Sequence, residues 1–205
     1  MNFEVALERL QIALSKPLPG ADAHAIMAPN PRREWPKGFN RDEIRDAAGL
    51  LLLFPIATEA HIVLTVRADT LGRHGGQVSL PGGVAEPGET FEHAALREAH
   101  EEIALQAADV TVLGPLTPID IPVGGFRLHP IVAATEKRPA LVPSDGEVAQ
   151  ILEVPLADLF EPGRRTRISR VRNGREIVVP MFQIAGTEVW GATAMVLSEF
   201  LVLVG

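Results

Sequence analysis

At 205 residues the chain is long enough to bury one well-cored domain, and its content of 46% hydrophobic and 22% charged residues is ordinary for a globular protein. A formal net charge of -7 argues against broad binding to nucleic acid or to an anionic membrane, so any phosphate has to be met by a local basic patch or by metal. With no cysteine, disulfide and thiolate chemistry are excluded and a cytoplasmic setting is the expectation.

In chain order, Phe3, Ala6, Leu7, Leu10 and Leu14 recur at helical spacing and predict an amphipathic helix, with charges breaking up any signal-peptide core. Residues 17–40 hold several prolines together with Asn30, Arg32, Arg33 and Trp35, which predicts an irregular surface arm. Residues 1–40 are therefore read as a helix and arm packing on a domain of residues 41–205. Arg32, Arg33 and Lys37 read as solvated loop cations, with contact to a polyphosphate as the alternative. From Ala47, AAGLLLLFPI is a buried strand and HIVLTVRA its neighbour. The apolar run 47–57 contains Pro55 and is too short to span a membrane.

Arg67 stands at the end of the second strand, facing the glycine-rich loop 72–83. Glycines there let backbone approach a ligand closely and present amides or carbonyls to a phosphate or metal. His74, Gln77 and Ser79 are the loop's polar groups, and His74 by itself reads as a hydrogen-bonded loop histidine. A Gly-Gly turn at Gly82 and Gly83 and a Pro-Gly turn then lead into a helix-length run. On it Glu98, Glu101 and Glu102 share one face at offsets of three and four residues, with Leu96, Ala99 and Ile103 roughly opposite. Crowded carboxylates call for a cation, and an oxygen-only donor set without Cys or His suits Mg²⁺ or Mn²⁺ rather than Zn²⁺. A solvated acidic face, with Arg97 pairing to Glu101, is the alternative. His100 projects from the far side of the helix.

After this helix, strands are predicted on either side of a Gly124-Gly125 turn. The cluster Pro143-Ser144-Asp145-Gly146 precedes a strand that runs into a short helix. Glu147 stands at that boundary and reads as a surface acid or as a further carboxylate of the site. Arg164 to Arg172 form an exposed strand, turning through Asn173-Gly174 into a second strand. The chain closes with a strand, TEVWG, and an apolar helix expected to seal the core.

Gly83, Glu89, Arg97, Glu98, Glu101 and Glu102 resemble, in type and spacing, the signature of the Nudix hydrolases. Ala104 stands where that family usually has glycine, which raises the cost of a left-handed helix cap, and Ala99 where a bulkier aliphatic is common. Upstream, Leu64, Thr65, Arg67, Ala68, Gly76, Pro81, Gly82 and Gly83 are similar to the extra motif of the coenzyme A diphosphatase branch. Gly72 replaces a usual basic residue there, with Arg73 adjacent, and Leu80 replaces a usual phenylalanine.

The resemblance implies an α+β fold, a mixed sheet between helices, and metal-dependent cleavage of a nucleoside diphosphate derivative. The glutamates, with a backbone carbonyl near Gly82 or Gly83, would hold Mg²⁺ or Mn²⁺, and Arg97 would orient Glu89 or a ligand carboxylate. Glu101, Glu102 and Glu147 all remain open as the proton acceptor. Arg67, Arg73, His74 and Gln77 are the substrate-binding candidates. Coenzyme A is the leading substrate, with ADP-ribose, NADH or a dinucleoside polyphosphate as alternatives and a non-catalytic nucleotide-binding module as the rival outside enzymes. Both a monomer and a homodimer fit.

Overall fold

The computed structural model describes residues 1–68, 75–172 and 174–205. In chain order the helices are α1 (Phe3–Leu14), α2 (Gly20–Met27), α3 (Phe91–Ile103), α4 (Leu156–Phe160) and α5 (Gly191–Val204). The strands are β1 (Arg45–Ile56), β2 (Glu59–Arg67), β3 (Val78–Ser79), β4 (Gly82–Val84), β5 (Thr111–Pro115), β6 (Ile119–Ile121), β7 (Phe126–Ala134), β8 (Val148–Pro155), β9 (Arg165–Arg172), β10 (Arg175–Ile184) and β11 (Thr187–Trp190). An 8-stranded sheet contains β1 to β8; β1 runs parallel to β7 and antiparallel to β2 and β4, so the sheet is mixed.

The leucine run explains why β1 lies at the centre. Leu50, Leu51, Leu52 and Leu53 are all fully buried, and successive side chains point to opposite faces. Leu50 and Leu52 join Ala94, Ala95, Ala99 and Ile103 of α3 in one core, while Leu51 and Leu53 join Phe3, Leu10 and the α5 side chains in the other. Each buried leucine contributes about 1.5–3 kcal/mol relative to exposure, so a helix is held firmly on each face. The result is the expected α+β architecture, with the glutamate helix on one side and the closing helix on the other. Ala99 also finds its reason: it is fully buried, where a larger side chain would push α3 off the sheet. Ala104 ends α3 in the left-handed region at φ 57°, the strained cap its side chain predicted.

One region differs from expectation, and another shows what the sequence pattern left open. The arm is not irregular throughout. It contains α2, whose Ala23, His24 and Met27 are buried against α5; Pro17, Pro19 and Gly20 masked a helix too short to show a period. The last strands do not extend the main sheet: β9, β10 and β11 make a separate 3-stranded antiparallel sheet. Phe182 and Ile184 drive them onto the α5 side of the core instead. β9 and β10 pair up to Arg172↔Arg175, and Asn173 of the expected turn lies outside the described residues. Among the described residues no helix is long and apolar enough to cross a membrane.

Pairing also fixes which residues share one level of the sheet. Ala48 of β1 stands opposite Gly83 on one side and His129 on the other, and Arg67 of β2 stands opposite Val148. The glycine turn, the end of β2 and the start of β8 thus meet at one end of the sheet, beside α3.

Candidate active site

Thr90 caps the start of α3 by accepting from His93 N–H, which sets the helix phase so that Glu98 and Glu102 face the glycine turn. The turn is tight for two reasons. Gly82 leaves no room for a side chain against the Ala48 carbonyl, and a Cβ on Gly83 would lie 2.5 Å from both Glu98 carboxylate oxygens. Gly82 N–H donates to Glu102 Oε2 at 3.1 Å, so the Glu102 carboxyl is docked onto backbone rather than reaching into solvent.

Arg97 organises the acidic face. Its Nε and Nη2 donate to the two oxygens of Glu89, each at 3.0 Å. Nη1 donates to Glu98 Oε1 at 2.8 Å and to Glu101 Oε2 at 3.4 Å, and Nη2 also donates to the Val84 carbonyl at 3.2 Å. The two-pronged contact with Glu89 has the planar geometry favoured between guanidinium and carboxylate. It holds Glu89 below the usual carboxylate range and keeps Arg97 charged. The pairing of Arg97 with Glu101 is thus present, but as the weakest of its contacts and only one part of a larger cluster.

Glu102 is the exception on this face. Burial pushes its carboxyl up to about 7; the Gly82 hydrogen bond opposes the shift, Glu98 and Glu147 add to it, and Arg67 opposes it weakly. Those neighbours define the site. Glu147, in the turn before β8, and Arg67, at the end of β2, share Glu102's electrostatic environment. Their backbones are tied together, Ala68 N–H donating to the Glu147 carbonyl at 2.8 Å and Arg67 N–H to the Gln77 carbonyl at 2.9 Å. The segment before Glu147 also caps α3, for Val142 N–H and Ser144 N–H donate to the carbonyls of Ile103 and Glu102. Arg73 and His74 lie outside the described residues.

Among the described residues, no three acidic or histidine side chains already surround one cation position; Glu98 is turned onto Arg97, and Glu101 is largely exposed. The chemistry of the donors nevertheless fits a hard divalent ion. They are carboxylates alone, on adjacent turns of one helix, and Glu102 is raised to about 7 by burial and then by like charges, both of which a cation would offset.

Reading the sequence missed a second buried carboxylate. Glu199 of α5 is fully buried and accepts from Gly20 N–H, His24 Nε2, Thr117 N–H and Thr117 Oγ1 at 2.6–3.1 Å. A single acid inside the apolar run MVLSEFLVLV was the available signal. Also missed was the packing of His129 on Phe91, with ring centres 3.6 Å apart, while its Nε2 bonds Asp46 at 2.7 Å.

Comparison with known proteins agrees with this geometry. The family model of the NUDIX domain matches residues 44–172. A protein of Cronobacter sakazakii described as an uncharacterized Nudix hydrolase NudL is 36% identical over 148 residues, 72% of this chain and 77% of its own. The protein of the same description from Citrobacter koseri is 34% identical over 157 residues, 75% and 81% of the two chains. In fold, the chain is similar to the MutT/nudix family protein from Enterococcus faecalis, with TM-score 0.51, 17% identity and coverage of 83% of this chain and 64% of that one. It is likewise similar to the MutT protein from Methanosarcina mazei Go1, with TM-score 0.50, 17% identity and coverage of 78% and 92%. A match spanning most of the chain, laid over this glycine turn and glutamate helix, makes the protein a member of the Nudix family and one of its hydrolases.

Proposed function

We propose that the protein is a cytoplasmic diphosphatase that cleaves coenzyme A or its derivatives to 4′-phosphopantetheine and adenosine 3′,5′-bisphosphate. The observation that carries the reaction is the docking of Glu102, a half-buried carboxyl, onto Gly82 N–H at 3.1 Å among Glu98, Glu147 and Arg67, where burial raises it to about 7. The substrate reading rests on the second motif, whose Arg67 and Gly82 border that carboxyl and whose Gly83 lies against Glu98.

Glu98, Glu101 and Glu102, with a carbonyl at Gly82 or Gly83, would hold Mg²⁺ or Mn²⁺. A divalent ion there supplies charge neutralisation at the phosphate oxygens and acidifies water. Arg97 fixes the orientation of Glu98 through its 2.8 Å contact and braces itself on Glu89, a supporting role that sets ligand geometry. Arg67, at the end of β2 and close enough to Glu102 to oppose its shift, would contact the diphosphate itself. Gln77 holds the Arg67 backbone and lines the same loop. Glu147, exposed and anchored by its carbonyl beside Arg67, accepts the proton of the attacking water. Glu147→Gln should therefore lower kcat while leaving metal affinity in place. Loss of metal affinity in that variant would make Glu147 a ligand instead.

The deciding experiment offers coenzyme A, ADP-ribose, NADH and a dinucleoside polyphosphate in competition, in ¹⁸O-labelled water, with product masses read. The proposal expects coenzyme A to be consumed first and one of its two products to carry the label. Preferential consumption of another substrate would overturn the coenzyme assignment, and product from none of them would leave a nucleotide-binding module.

A further inference from the structure

A cleft of about 580 Å³ lies between the N-terminal arm and the β5–β7 region, apart from the carboxylate cluster. Arg32, Arg33 and Trp35 of the arm form one wall, and Asp120, Arg127 and His129 form part of the other. The charges are unevenly settled. Asp120 accepts from Arg127 Nε at 2.8 Å and from Trp35 Nε1 at 3.3 Å, so that pair is internally satisfied and holds the indole in place. Trp35 is also stacked on Phe39, with ring centres 4.6 Å apart. Arg32 and Arg33, by contrast, have no hydrogen-bond or ion-pair partner among the described residues. On a chain of net charge -7, two unpaired guanidinium groups at the mouth of a cleft point to an anionic ligand, and their planar forks suit phosphate oxygens.

The cleft also lies within reach of the reaction. His129, on its wall, stands opposite Ala48, which in turn stands opposite Gly83, against which Glu98 packs. Two strand spacings separate the backbones of His129 and Gly83, about 10 Å, the scale of one nucleotide. Phe91, the first residue of α3, stacks on His129, so the cleft wall packs directly against the glutamate helix.

We propose that this cleft is the subsite for the phosphorylated adenosine end of the substrate, with Arg32 and Arg33 taking its 3′-phosphate and Trp35 flanking the base. The inference rests on the coenzyme A reading and deepens it. The arm lies outside residues 44–172, so selection of the 3′-phosphate is supplied by a segment added to the family domain. The same assignment is consistent with Arg67 serving the diphosphate.

The test compares coenzyme A with its 3′-dephospho form in wild type, in Arg32→Ala/Arg33→Ala and in Arg32→Lys/Arg33→Lys. The ratio of kcat/KM values for the two substrates should fall about tenfold in the alanine variant, through KM, and be partly restored by lysine. An unchanged ratio overturns the proposal. A second measurement needs neither metal nor turnover: in EDTA, Trp190→Phe protein is titrated with adenosine 3′,5′-bisphosphate or adenosine 5′-monophosphate while Trp35 fluorescence is followed. Preference for the bisphosphate that disappears without the two arginines is expected, and equal affinities would refute the subsite. If wild type cleaves neither coenzyme form, the substrate reading fails by itself and this titration still decides the cleft.

Discussion

Two glutamates on opposite faces of the sheet, Glu199 fully buried and Glu102 half-buried, have opposite fates. Glu199 is surrounded by donors from α2 and from Thr117. Burial works against its charge, yet the hydrogen bonds from His24 and Thr117 hold its carboxylate below the usual range. Glu102 has one backbone donor and acidic neighbours, and burial carries it up to about 7. A carboxylate satisfied by its own protein ties elements together. One left short of donors among like charges is costly in the free protein, and the cost is recovered when a cation or proton arrives.

Breaking each carboxylate should separate these roles. The largest effect is expected for Glu102→Gln, with turnover at least about 1000-fold lower and folding intact. A variant that keeps most of its turnover would remove Glu102 from the chemistry. Its stability carries a sign as well. Because the folded value of Glu102 lies above the ordinary 4.5, the metal-free wild type loses stability as pH rises from about 4.5 through 7, by roughly 2 kcal/mol. Thermal melts in EDTA should therefore show Glu102→Gln gaining on wild type at pH 8 and losing that advantage at pH 4.5.

Glu199→Ala should do the reverse. It leaves Gly20 N–H, His24 and both Thr117 donors without their acceptor, costing about 3–5 kcal/mol in denaturant unfolding, while kcat per folded molecule stays close to wild type. A large fall in kcat would tie the two carboxylates together. Gly83→Ala sharpens the comparison at the turn: the added methyl meets both Glu98 oxygens, so kcat should drop about 10- to 100-fold with only a modest change in melting temperature. The smallest effect is expected at the end of α3. Ala104→Gly relieves a positive φ and should add about 0.5–1 kcal/mol of stability without altering activity.

The contrast also explains what could be read before any coordinates. The glutamate face, the glycine turn beneath it and the leucine strand follow from local spacing, because helix and strand periods act over a few residues. Glu199 and His24 are 175 positions apart, and no periodicity connects them. The arm resisted reading for a related reason, since α2 is short, starts behind prolines and is held by α5 rather than by a strong pattern of its own. Alternation placed β9 and β10 as a hairpin but could not say which sheet they join, a choice made by Phe182 and Ile184 finding the α5 core. Arg32 and Arg33 looked like solvated loop cations until folding set them across a cleft from His129.

The central claim, that the carboxyls around the glycine turn hold a divalent ion, is tested most directly by calorimetric titration of Mn²⁺ into wild type and Glu102→Gln at pH 6 and pH 8, in buffers of different ionisation enthalpy. With Glu102 near 7, wild type should bind about tenfold more tightly at pH 8 than at pH 6 and release about one proton on binding at pH 6 but little at pH 8, and both effects should vanish in the variant. Binding that ignores pH in wild type, or is undiminished in Glu102→Gln, would contradict the account.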